Sequence, residues 1–346
     1  MNRKPKVLVT GGTGYIGSHT VVELFNGNYE PVSVDNYVNS GPEVIDGIEA
    51  ITGCELTHHT VDLTNLSATR RVFEEHAEIV GVIHFAALKL VGESVEKPLE
   101  YYQNNLVGLL NVLACMREYK VSNFIFSSSC SVYGQSRELP VTEDTPLEPP
   151  QSPYARTKFM GEEIIRDYCA VTPGFKAILL RYFNPAGAHP SILIGESPVN
   201  PAANLVPVIT ETAIGKRPDM AVHGTDYDTR DGSCIRDYIH VVDLAKAHLQ
   251  ALEYLTEKRN ERNCEIFNLG IGQGVTVLEA INAFEAVTGV KLNYTRGPRR
   301  PGDVAAVYAD YARAARLLGW QPQYNIRDIM QTAWAWEQKR TIPQEA

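Results

Sequence analysis

Long hydrophobic runs are missing from this 346-residue chain, and no stretch approaches the ~20 apolar residues that a membrane helix requires. The opening "MNRKPKVLVT" carries basic residues, but its apolar run stops at Thr10, too short for the core of a signal peptide. Cys-x-x-Cys pairs are missing too. The six cysteines (Cys54, Cys115, Cys130, Cys169, Cys234 and Cys264) are scattered, which fits free thiols in a reducing compartment better than disulfides. The expected address is therefore the cytoplasm. No His-Glu-x-x-His occurs among the nine histidines. The neighbours His58 and His59, and His240 and His248 with their helical spacing, bring no further ligands, so no metal is expected. An excess of base is also lacking: 32 Lys and Arg against 41 Asp and Glu leave a net charge of −9. That balance argues against a nucleic-acid or anionic-membrane surface, while a small anionic ligand needs only a few local cations. Repeats and low-complexity tracts are absent.

What is present is the composition of a soluble globular protein, 44% hydrophobic and 21% charged, long enough for two lobes. Through the first half, short β-branched runs alternate with amphipathic stretches. Residues 6–10, 31–35, 55–63, 80–87, 123–129 and 176–183 read as strands, and 98–119 and 153–171 as helices. Such alternation predicts an α/β fold, a Rossmann-type doubly wound parallel sheet with helices on both faces. After residue 183 the texture changes. Residues 184–203 are rich in Pro, Gly and Asn, and beyond them helices at about 204–215, 241–257, 276–288 and 326–339 mix with short strands. The expected division is a dinucleotide-binding domain over 1–183, to which later segments could return, and a smaller C-terminal α/β substrate lobe over 184–346.

Two local patterns carry chemistry. In "VLVTGGTGYIGSHT", Gly11, Gly14 and Gly17 recur every three residues after a strand and at the start of a helix. Glycines there allow a tight turn and close backbone approach, and the helix N-terminus presents free N–H groups to a pyrophosphate. Asp35 ends the second strand, 18 residues past Gly17 (35 − 17). A carboxylate there accepts from both ribose hydroxyls and repels a 2′-phosphate, favouring NAD over NADP; otherwise it is a turn aspartate. Asp62 could meet the adenine and Lys89 a nicotinamide ribose. The second pattern is Tyr154 followed four residues later by Lys158 in "SPYARTKFMGEE". On a helix the two share a face, and an ammonium beside a phenol favours the phenolate, making a usable general base. Taken alone, the pair could equally be a surface Tyr and Lys.

With these patterns, "HFAA" and "SSSCSVYG" in order, the chain resembles the extended short-chain dehydrogenase/reductases, and within them the UDP-galactose 4-epimerase family. The resemblance spans residues 7–336. It rests on "GGTGYIGSHT", "VDNYVNS", "HFAALKLVGES", "QSPYARTK", "LRYFNPAGAHPS", "RDYIHVVDLA" and "PRRPGD", several of them outside the superfamily core. It implies transient NAD-dependent oxidation at the sugar C4 of a UDP-sugar, with NAD regenerated in each cycle and tightly held. It also implies a homodimer built from helices 98–119 and 153–171, whose surplus apolar residues include Leu106, Leu109, Leu110, Leu113, Phe159, Met160 and Ile164.

By resemblance, Tyr154 is the general base and acid, Lys158 lowers its pKa and holds the nicotinamide ribose, and Ser129 hydrogen-bonds the sugar 4-oxygen. The NAD site implied is Gly11, Gly14, Tyr15, Ile16, Gly17, Asp35, Asn36, Asn39, Ser40, Asp62, Leu63, Phe85, Ala86, Ala87, Lys89, Asn104, Tyr154, Lys158 and Phe183. The UDP-sugar would meet Lys89, Ser129, Tyr154, Tyr182, Asn184, Asn204, His223, Arg236, Arg300, Asp303 and Val307. Arg236 and Arg300 would clamp the diphosphate, although Arg236 could instead be an ordinary surface ion-pair partner. His223 stands where the family usually has an aromatic beside the uracil. Val307 stands where the family walls the sugar C2 substituent, and a residue this small leaves room for an N-acetyl group unless it simply packs under its loop. A nucleotide-sugar 4,6-dehydratase is the nearest rival, but Cys130 and Ser131 occupy the places of its Asp-Glu pair. A UDP-glucuronate decarboxylase matches less well. A catalytically dead NAD-sensing regulator would be expected to lose the Tyr or the Lys.

Overall fold

The computed structural model describes residues 4–136, 138–199, 201–300 and 303–341. Six strands are laid down in the first half: β1 (Lys6–Thr10), β2 (Glu30–Asp35), β3 (Thr57–Thr60), β4 (Ile79–His84), β5 (Asn123–Ser129) and β6 (Lys176–Tyr182). Four of them match the expected segments to within one residue. The 55–63 run forms only the four-residue β3, because it lies at the sheet edge with a neighbour on one side. Side chains alternate across the sheet, so Val7 and Val9 of β1 enter one apolar core while Leu8 enters the other.

Helices cover both faces. In chain order they are α1 (Tyr15–Asn26), α2 (Glu43–Thr52), α3 (Leu66–Glu75), α4 (Val91–Glu96), α5 (Pro98–Tyr102), α6 (Gly108–Glu118) and α7 (Pro153–Val171), with a π turn at Gln103–Val107 between α5 and α6. The π turn breaks what the sequence reads as one helix over 98–119. Helix α7 starts where it does because Ser152 caps it, accepting from Ala155 N at 3.2 Å, and Pro153 suits the first helical position.

The later chain builds strands β7 (Asn184–Ala186), β8 (Met220–His223), β9 (Ile235–Arg236), β10 (Tyr238–His240), β11 (Cys264–Leu269), β12 (Val275–Thr276), β13 (Tyr294–Gly297) and β14 (Ala306–Val307). Its helices are α8 (Leu205–Ala213), α9 (Val241–Thr256), α10 (Val277–Thr288), α11 (Ala312–Leu318) and α12 (Ile326–Thr341). Part of this half returns to the first. Strand β11 pairs with β6 to complete a seven-stranded sheet, ordered β11-β6-β5-β4-β1-β2-β3 and parallel throughout. Helix α9 joins α1 in the core that holds Val7, Ile83 and Ile125. The rest is a smaller lobe with its own core, where Val206, Ile209, Ile281, Phe284, Ile329 and Met330 bring α8, α10 and α12 together.

Strand order reverses at β1, which has β2 on one side and β4 on the other. In open α/β sheets the crevice outside the strand ends at such a point is where ligands bind.

Candidate active site

The turn after β1 opens into that crevice. Gly11 has φ +73°, and a Cβ at Gly17 would lie 2.0 Å from the Gly11 carbonyl oxygen, so both positions require glycine. Gly14 caps α1 with no side chain to occupy the first amides, which leaves them free for an anion. A cavity of about 290 Å³ runs from this turn along the ends of β2 and β4 to α7. Its wall includes every residue assigned above to the dinucleotide except Phe183. Asp35 is fixed at the end of β2, its carboxylate accepting from Thr13 N at 3.3 Å and Tyr37 N at 3.0 Å. Asp62 accepts from the amide and hydroxyl of Thr64 at 2.9 and 2.7 Å. Phe183 lies off the wall, buried beside Val132, Tyr133 and Val307.

At the far end of the cavity stand Tyr154 and Lys158, with Ser127 and Tyr182. Lys158 is buried and donates to the carbonyl oxygen of Ser127 at 2.7 Å, its Nζ 6.0 Å from the centre of the Tyr154 ring. Burial lowers its pKa to about 7. Helical spacing alone predicts that Lys158 pulls the Tyr154 pKa down. Instead burial pushes that pKa up to about 12, and the group opposing it is the Ser129 hydroxyl, hydrogen-bonded to Tyr154. Burial disfavours the charged form of each group, and it is the leading cause acting on both. Ser129 Oγ also accepts from Ser131 N at 3.2 Å, which orients the serine at the end of β5. The hydroxyls of Ser127 and Tyr182 are in direct contact beneath the tyrosine.

The residues assigned to a UDP-sugar divide into two groups. Lys89, Tyr154, Tyr182 and Asn204 line the cavity. Ser129, Asn184, His223, Arg236, Arg300, Asp303 and Val307 do not, and most of them gather in the smaller lobe. Arg236 donates to Asp303 Oδ1 at 3.1 Å and to the carbonyl oxygen of Val304 at 2.8 Å, and its strand pairs with the one that carries Val307. His223 pairs with Gly297 in β13, three residues before the exposed Arg300. Asn184 pairs with Tyr238. Pro301 and Gly302 of "PRRPGD" lie outside the described residues.

A family model described as GDP-mannose 4,6 dehydratase matches residues 8–333. A UDP-glucose 4-epimerase from Dictyostelium discoideum is 48% identical over 332 residues, covering 96% of this chain and 95% of that protein. The crystal structure of UDP-glucose 4-epimerase from Bifidobacterium longum, in complex with NAD+ and UDP, superposes with a TM-score of 0.92 at 46% identity, covering 96% of this chain and 98% of that one.

The chain belongs to the UDP-glucose 4-epimerase family.

A second epimerase structure, from Stenotrophomonas maltophila with bound NAD and formylated UDP-arabinopyranose, has a TM-score of 0.93 at 42% identity and covers 97% of this chain and 98% of that one.

Sequence reasoning missed Glu196. Its carboxylate lines the cavity and accepts from Lys89 at 3.3 Å and from Asn204 at 3.1 Å, while the Trp336 indole holds its carbonyl at 2.9 Å. No local signal marks it, because two of its three partners, Lys89 and Trp336, lie more than 100 residues away along the chain. A second group that was not foreseen is His59, Glu75 and His76, whose ligand atoms lie within 4.8 Å of one another. The Lys6 ammonium stands 3.4 Å from His76 Nδ1, which makes that nitrogen an acceptor and sends the Nε2 proton to His59 at 2.8 Å. The two imidazoles therefore satisfy each other beside a cation, an arrangement that disfavours a dication.

Proposed function

We propose that this protein interconverts UDP-galactose and UDP-glucose as an NAD-dependent 4-epimerase. The reading rests on one convergence: Tyr154 and Lys158 share a single cavity with the glycine turn and Asp35, and Ser129 hydrogen-bonds Tyr154. The residues present fit NAD. The Gly11–Gly17 contact leaves room for a pyrophosphate over the uncapped α1 terminus, and the Asp35 carboxylate suits a free 2′-hydroxyl rather than a 2′-phosphate. When bound, NAD supplies a reversible two-electron acceptor for the sugar C4.

The protein's own groups do the rest. Tyr154 takes the proton of the sugar 4-hydroxyl and returns it after the 4-keto sugar has turned about its diphosphate linkage. Ser129 hydrogen-bonds the 4-oxygen and steadies Tyr154. Lys158, fixed on the Ser127 carbonyl, brings a donor to the nicotinamide ribose and a positive charge toward the phenol. Arg236 and Arg300 bind the diphosphate, with Asn184, Asn204, His223 and Asp303 completing the nucleotide site. Incubating purified protein with UDP-galactose and detecting UDP-glucose by a coupled dehydrogenase tests the reading, which fails if no UDP-glucose forms.

We further propose that N-acetylated UDP-sugars are accepted, because the place where the family walls the C2 substituent holds the small Val307, which packs beside Phe183 and Tyr133 and not on the cavity wall. A homodimer is supported by exposed apolar side chains on α4, α5, α6 and α7: Val95, Leu99, Leu110 and Met160. Leu109 and Leu113, expected in that interface, are instead buried in the core against the sheet. Among the described residues no helix is long and apolar enough to cross a membrane. A cytoplasmic address is supported by six free thiols.

A further inference from the structure

Among the described residues, one ion pair has both side chains almost fully excluded from water: Arg181 with Glu162, each 1% exposed. Burying two charges costs more than their attraction returns unless every donor and acceptor is satisfied, so such a pair is weak support for stability alone. Here the carboxylate is saturated. Its Oε1 accepts from Arg181 Nε at 2.8 Å and from Ser128 Oγ at 2.5 Å, and its Oε2 accepts from Arg181 Nη2 at 2.5 Å and Arg166 Nη2 at 3.1 Å. Arg181 Nη1 donates to the Tyr133 hydroxyl at 3.1 Å, and that hydroxyl donates to Asn268 of β11 at 2.6 Å.

The pair's location matters as much as its burial. Glu162 follows Lys158 by one helical turn on α7, and Arg181 precedes Tyr182 on β6. Ser128, which the carboxylate grips, lies between Ser127, whose carbonyl holds Lys158, and Ser129, whose hydroxyl meets Tyr154. The groups placed around Lys158 are the Tyr154 ring one turn earlier on α7, His84 from β4, and the Ser127 carbonyl and Phe126 ring from β5, while Tyr182 and Cys130 act on Tyr154. Glu162 is the carboxylate one helical turn along α7 from Lys158, and Arg181 holds it in a bidentate grip.

We infer that Arg181 and Glu162 are positioning residues for the proposed epimerase reaction: their buried pair keeps residues 127–129 in register with α7, and Arg181 keeps the Glu162 carboxylate from becoming the counter-ion of Lys158. The inference rests on the roles given above to Tyr154 and Lys158. If Glu162 were released, it would pair with Lys158, cancel its charge near the phenol and make Tyr154 harder to ionise.

The test uses NAD-loaded Arg181→Gln, Arg181→Lys and Glu162→Gln/Arg181→Gln proteins beside the wild type. For Arg181→Gln, kcat falls ~10- to 100-fold, a loss typical of displaced catalytic groups. KM for UDP-galactose stays unchanged, because the diphosphate contacts lie in the other lobe. The acid limb of the kcat profile moves up by ~1 pH unit and returns toward the wild-type position in the double variant, which has no carboxylate to release. Arg181→Lys keeps the limb in place and loses only part of kcat. If Arg181→Gln does not fold, Ser128→Ala carries the register arm and Arg181→Lys the charge arm. Tyrosinate absorbance, taken as the difference between each protein and its Tyr154→Phe counterpart, follows the same shift without turnover. An inactive wild type would therefore refute the reaction and leave the positioning test intact. An unmoved titration, with kcat falling only in step with folded, NAD-loaded protein, would overturn the inference.

Discussion

Lys158 gives its hydrogen bond to the Ser127 carbonyl at 2.7 Å, and its Nζ stays 6.0 Å from the centre of the Tyr154 ring one turn earlier on the same helix. The lysine is thus held by the strand that carries Ser129, and the phenol keeps its proton through burial until a bound ligand changes its surroundings. Removing the phenol should therefore separate chemistry from binding. Tyr154→Phe is expected to fold and to retain NAD while kcat drops by at least ~10²-fold, the low end for general acid–base catalysis. Turnover close to wild type would remove Tyr154 from the mechanism.

Stability should fall on the acid side because of buried neutral histidines. Burial lowers the pKa of His19 and His84 to about 3, and of His240 and His248 to about 4. Below ~6.5 the unfolded chain takes up these protons and the native state does not, so each group removes up to about 1.4 kcal/mol per pH unit. The loss begins as pH falls through the unfolded value and ends at the depressed native one. Buried Asp237, raised to about 6, works the other way over part of the same window. Urea midpoints measured from about pH 7 down to about pH 5 should fall, and His248→Gln, which cannot be protonated, should flatten the slope. A midpoint that holds steady would contradict this.

Assembly gives a third expectation. Leu99 is 77% exposed and Leu110 48%. Light scattering at micromolar protein should report a dimer mass, and Leu99→Glu should shift it toward the monomer with little effect on the fold. A monomeric wild type would remove the proposed interface.

Sugar range depends on Val307, buried on β14 beside Phe183 and Tyr133. Comparable kcat/KM for UDP-N-acetylglucosamine and UDP-glucose is expected in the wild type. Val307→Tyr should lose the acetylated substrate selectively, by the ~1–3 kcal/mol that pocket shape supplies. A wild type that leaves UDP-N-acetylglucosamine untouched would refute the open wall.

How much of this was legible in the sequence follows the range of the interactions. The Gly11–Gly17 turn, Asp35 at a strand end, and Tyr154 with Lys158 on one helix face all depend on neighbours within a few residues or one βαβ unit, so spacing alone locates them. Glu196 was not legible, because its carbonyl is held by Trp336, 140 residues away. The Arg181–Glu162 pair looks in sequence like two ordinary surface charges, and only the packing of α7 on β6 buries it. The desolvation of Tyr154 was not legible for the same reason: helical spacing shows the nearby ammonium, but burial becomes visible only once the fold is built. The β3 run was read too long because a sequence does not show which strand will form the sheet edge.

The central claim is transient oxidation at C4 with return to the same carbon. UDP-galactose deuterated at C4, incubated with the NAD-loaded protein in ordinary water, tests it most directly by mass spectrometry and proton NMR of the product. The account predicts UDP-glucose that keeps its deuterium at C4, since the label leaves and returns within one closed site. Washout of the label into solvent, or no epimerised product, would contradict it.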